Sequence, residues 1–138
     1  MSISLALLAS LAFADAPPPP PIVDGVETNA YEAVGALVAL SSHGDIAGSF
    51  CSGTLIGPRQ VLTAAHCVDG IYDLQAMGYS DFEFVIGTNV SNDAGTWERT
   101  GIVAAHQHPQ WGSEGLFGDV AVLDLERNVE TTLPMLLN

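Results

Sequence analysis

Cys51-Ser52-Gly53-Thr54-Leu55-Ile56 is followed, across the turn formers Gly57-Pro58, by Val61-Leu62-Thr63-Ala64-Ala65-His66-Cys67. Gly53 to Ile56 and Val61 to Thr63 are short apolar runs separated by a turn, a pattern that predicts two strands in succession. Ala64 to Val68 has room for one turn of helix. Outward from this stretch the chain keeps the same grain. Ala33 to Leu40, Phe82 to Ile86, Gly101 to Ala105 and Val120 to Leu125 are further short apolar or alternating runs. Ser41-Ser42-His43-Gly44-Asp45, Asp69-Gly70 and Ser91-Asn92-Asp93-Ala94-Gly95 separate them as turns. About six short strands and little helical periodicity predict an all-β domain, a small barrel or sandwich. No internal repeat is present.

Composition narrows the class. The 138 residues suffice for one domain of ordinary size, and 48% apolar content can fill a core. Sixteen Asp and Glu face three basic side chains, Arg59, Arg99 and Arg127, with no lysine, for a net charge of −13. Nucleic acid and anionic membrane surfaces both require clustered Lys or Arg, so neither is expected as a partner.

The N-terminus predicts export. Ile3 to Phe13 is an apolar run too short to span a bilayer as a helix. Ala12-Phe13-Ala14 places small residues where a signal peptidase cuts, which predicts a signal peptide over residues 1–14. Ala14-Asp15-Ala16 offers a second cleavage point, and a basic leader segment is missing. Residues 15–21 end in five prolines, Pro17 to Pro21, a stiff extended spacer. The folded domain is then expected over residues 22–138. In an oxidising compartment Cys51 and Cys67, 16 residues apart, predict a disulfide that closes a loop around Thr63-Ala64-Ala65-His66. Two unrelated buried thiols are the alternative, and zinc lacks the CxxC spacing it favours. Such a loop closure contributes about 3 kcal/mol in the chain-entropy treatment.

With these residues in place, the chain resembles the chymotrypsin/trypsin-like serine peptidases. Leu62-Thr63-Ala64-Ala65-His66-Cys67 looks like the segment around that family's catalytic histidine. Ile22-Val23-Asp24-Gly25 resembles the mature N-terminus, and His108-Pro109-Gln110-Trp111 the HPxY-type segment. Gly118-Asp119-Val120-Ala121-Val122-Leu123-Asp124-Leu125 resembles the DIALL strand that carries the catalytic aspartate. The likeness runs in the family's order from Ile22 to Leu137. It implies a six-stranded antiparallel Greek-key barrel, the first of the two barrels of such a peptidase. It further implies His66 as general base, Asp119 as the carboxylate that fixes its tautomer, and Ile22 as the new amino terminus after activation. On an alternating strand Asp119 would share a face with Ala121, Leu123 and Leu125, where a carboxylate needs a donor such as the His66 ring.

Two departures shape the functional expectation. No GDSGGP-like turn is present, so the resemblance implies a secreted endopeptidase seen without its nucleophilic serine, inactive by itself. The missing C-terminal barrel would bring that serine and the specificity pocket to protein or peptide substrates. A non-catalytic module that binds peptides or inhibitors is the alternative, although intact His66 and Asp119 favour the peptidase. Pro21 also stands where Arg or Lys usually precedes the activation point, which leaves the activation route open. No cofactor or metal is expected. His106 and His108 lack a third ligand, and of the calcium-loop positions Asp93 and Glu98 are acidic while Thr88 replaces the first expected glutamate. Asn89-Val90-Ser91 is a glycosylation sequon, with meaning only in a eukaryotic secretory pathway.

Overall fold

The computed structural model describes residues 30–90, 95–113, 115 and 117–136. Residues 1–14 and 15–21, Ile22, Ser91 and Asp93 thus lie outside the described residues. Six strands form a closed barrel: β1 (Val34–Leu40), β2 (Ile46–Gly57), β3 (Gln60–Thr63), β4 (Phe82–Asn89), β5 (Gly95–Gln107) and β6 (Ala121–Leu125). One helix, α1 (Ala65–Ala76), connects β3 to β4. The ring order is β1-β2-β3-β6-β5-β4, every pairing is antiparallel, and β1 pairs with β4 to close it. β4, β5 and β6 follow one another as hairpins while β3 returns beside β6, which is the Greek-key arrangement expected.

The inside of the barrel follows from strand alternation. In β6 Ala121, Leu123 and Leu125 are buried and the residues between them are half-buried. They join Leu37, Leu55, Val61, Phe84 and Ile86 in one core. Gly35 and Gly53 face each other across β1 and β2. A Cβ on Gly35 would meet the Phe84 ring at 2.6 Å, and one on Gly53 would meet Val61 at 2.5 Å. The paired glycines therefore make the room that Phe84 and Val61 fill.

Two expectations need correction. The single helical turn at Ala64 to Val68 is a helix of 12 residues, and the Asp69-Gly70 turn lies inside it. Ala65, Cys67, Val68 and Ile71 form its buried stripe, Ile71 packing with Ala39 and Phe82, so apolar contact overrides the turn propensity of Asp69-Gly70. Asp119 does not lie on the strand. It precedes β6, immediately after Gly118.

Candidate active site

The β3–α1 junction presents the histidine. Thr63 ends β3 and donates its hydroxyl to the Ser52 carbonyl at 2.8 Å, which ties β3 to β2. Ala64 is extended (φ −81°, ψ 149°) and begins the helix without any capping side chain of its own. A helix start leaves N–H groups unpaired, and here the partner comes from 53 residues downstream. Asp119 Oδ1 accepts the His66 backbone N–H at 2.9 Å, and Asp119 Oδ2 lies 2.8 Å from His66 Nδ1. One carboxylate thus caps the helix and holds the ring. The positive end of the helix also favours an anion at this position.

The loop before β6 is built to deliver that carboxylate. Gly118 has φ +72°, and a Cβ there would stand 2.7 Å from His108 Nδ1. Only glycine adopts this backbone without strain at so close an approach. The His108 N–H donates to the Val120 carbonyl at 2.9 Å, closing the loop across its base.

The electrostatics follow from the same bonds. The backbone N–H of His66, then its imidazole, hold the Asp119 carboxyl below the usual carboxylate range, with the Ala65 N–H adding to them against desolvation. His66 remains accessible, its side chain 59% exposed against 27% for Asp119.

Cys51 and Cys67 form a disulfide with an S–S distance of 2.00 Å and a Cα–Cα separation of 6.0 Å. A His66 ring nitrogen lies within 4.8 Å of both sulfur atoms. The sulfurs are bonded to each other, so this cluster offers no thiolate to a metal ion.

Other candidate residues are occupied differently. His106 Nε2 pairs with Asp124 Oδ2 at 2.8 Å on an exposed surface, whereas His108 Nδ1 accepts the Gln110 N–H. The two imidazoles are therefore engaged apart from each other. Glu98 binds Arg127 with Oε1, while its Oε2 accepts from Glu130 N, Thr131 N and Thr131 Oγ1. Burial raises its pKa, but these donors outweigh burial and leave it below the ordinary glutamate value. Its oxygens are thus already taken up by the Arg127 guanidinium and by donors of residues 130 and 131.

Asp69 is a residue that sequence reasoning passed over. On α1, it accepts Gln107 Nε2 on Oδ1 at 2.7 Å and Trp111 Nε1 on Oδ2 at 2.8 Å. Nothing in its local sequence separates it from a turn aspartate, and the partners come from a distant segment.

A family model described as Trypsin matches residues 22–136. The chymotrypsin-like elastase family member 1 of Bos taurus is 36% identical over 81 residues, covering 56% of this chain and 27% of that protein. A trypsin of Saccharopolyspora erythraea is 33% identical over 110 residues, covering 79% of this chain and 44% of its own length. A solved structure described as GrC superposes with a TM-score of 0.60 at 22% identity, over 82% of this chain and 46% of the other, a likeness of fold. The chain spans less than half the length of each of these.

Proposed function

The chain belongs to the trypsin family, and on that premise we propose that it carries the histidine–aspartate part of a serine endopeptidase centre. His66 is the general base and Asp119 the carboxylate that orients it. The observation that carries this is the double hold of Asp119 on His66, through the backbone N–H at 2.9 Å and Nδ1 at 2.8 Å. A base for a serine hydroxyl must be neutral near pH 7 and present an unprotonated ring nitrogen. With Nδ1–H given to Asp119, the neutral ring keeps its lone pair on Nε2. As the hydroxyl attacks a peptide carbonyl, its proton passes to Nε2 and the imidazolium so formed faces the Asp119 anion. The same proton then goes to the leaving amine.

The serine, the oxyanion donors and the specificity pocket are assigned to a second barrel of the same polypeptide, since residues 1–138 contain no GDSGGP-like turn. An apolar surface supports a partner there. Tyr31 is 62% and Leu133 85% exposed, and both line a groove of about 380 Å³ together with Ala30 and Met135. The substrates are proteins or peptides. Residues 1–14 serve as a signal peptide and 15–21 as a spacer, with Ile22 the mature N-terminus of the barrel at 22–138. Export into an oxidising compartment accords with the Cys51–Cys67 disulfide.

A serine-directed fluorophosphonate tests this. The 138-residue chain should remain unlabelled, and a polypeptide extended through the second barrel should label. His66→Ala in the extended protein should lower kcat by about 10³-fold or more. Labelling of the short chain would overturn the placement of the nucleophile. An extended, processed protein that stays inert would point instead to a peptide- or inhibitor-binding module.

A further inference from the structure

We propose that Asp69 is a positioning residue for the His66–Asp119 pair, fixing from the helix the loop that ends in Asp119. The inference rests on that pair being the catalytic dyad.

Asp69 stands one turn beyond His66 on α1, and its two oxygens take donors from two points of the downstream chain. Gln107, the last residue of β5, donates Nε2 to Asp69 Oδ1 at 2.7 Å and also to the Ala65 carbonyl at 2.9 Å. Trp111, inside the loop, donates its indole N–H to Asp69 Oδ2 at 2.8 Å while its ring packs on the main core. Between these two residues lies His108, whose N–H binds the Val120 carbonyl beside Asp119. The helix and the loop therefore exchange carboxylates. Asp119 reaches from the loop to the helix N-terminus, and Asp69 reaches from the helix back to the loop.

The exchange matters because the dyad is exposed. An ion pair at a surface contributes little to holding its own geometry. Catalytic geometry of this kind depends on supporting hydrogen bonds that lock the acting side chains. Attachment of α1 to the barrel does not depend on Asp69, since Ala65, Cys67, Val68 and Ile71 already bury its apolar stripe. What Asp69 sets is the position of the loop relative to His66.

The test is nitrogen-resolved NMR of the His66 imidazole in the full chain. The wild type should show a deshielded, slowly exchanging Nδ1–H bonded to Asp119. Asp69→Asn keeps the volume but turns an amide donor toward Gln107 or Trp111. Trp111→Phe keeps an aromatic ring against the core but removes the five-membered ring that carries the indole N–H. Each should speed exchange of the His66 Nδ1–H by about three- to tenfold, the range set by one net hydrogen bond. Val85→Ala, in a separate buried cluster with Val38 and Leu40, should destabilise the barrel and leave this exchange unchanged. The proposal is overturned if both site variants match the wild type, or if Val85→Ala speeds exchange as much as they do. A wild type without the bonded Nδ1–H would remove the dyad itself, and this inference with it.

Discussion

Asp119 and Glu98 show how single carboxylates organise this chain. Each accepts backbone N–H groups from a segment far away in sequence, His66 for one and Glu130 with Thr131 for the other. Each is held below its ordinary pKa in the folded state. The folded carboxyls therefore release protons more readily than the unfolded ones, whose values lie near 4. Their stabilising contribution is complete above the unfolded value and is lost as pH falls through the folded one. Thermal midpoints should stay level from pH 7 to about 5 and fall below about 4. Glu98→Gln should lower stability at pH 7 by about 1–2 kcal/mol, because a single carbonyl oxygen replaces two acceptors. Its acid decline should be shallower than that of the wild type in parallel melts. Equal declines would show that the Glu98 bonds do not govern this limb.

At the level of elements, the loop before β6 is the most sensitive connection. Gly118→Ala places a methyl group 2.7 Å from His108 Nδ1 on a backbone with φ +72°. The left-handed conformation alone costs about 1–2 kcal/mol, so urea melts should show a loss of about 2 kcal/mol or more once the contact is included. A neutral result would mean that the loop relaxes without moving Asp119. Strand positions were largely legible from the sequence, since β1, β3, β4 and β6 follow apolar runs bounded by turn formers. β2 and β5 are longer than their apolar runs, and in β2 the outer end, Ile46 to Ser49, is paired through the backbone without a buried side chain. The extent of α1 was also written in the chain, at Cys67, Val68, Ile71 and Leu74, but Gly70 concealed it. His66, Asp119 and the cysteines were legible through their motif. Asp69 was not, because its role arises from Gln107 and Trp111, which meet it only in the folded barrel.

The whole molecule carries a charge of −13 with its three arginines already engaged. Arg59 donates to the Leu125 carbonyl, Arg99 to Glu83 and Arg127 to Glu98. The remaining acidic surface repels itself, and salt screens that repulsion. Raising NaCl from low levels to about 0.5 M should lift the thermal midpoint by roughly 3 °C or more, and a flat or falling midpoint would show that the internal ion pairs dominate. The ring order has a kinetic consequence as well. The hairpins β1–β2, β2–β3, β4–β5 and β5–β6 join neighbours in sequence, but Leu37 must find Phe84 and Val61 must find Leu123. Those two seams carry the largest loop-closure entropy and the highest contact order. His66 follows β3 and Asp119 precedes β6, so the pair flanks one of these late-closing seams. Pulse-labelled amide exchange during refolding should protect β4 and β5 before Leu62 and Val122. A nascent or half-folded chain would then hold its histidine without its aspartate, and the His66–Asp119 pair would form only as this seam closes.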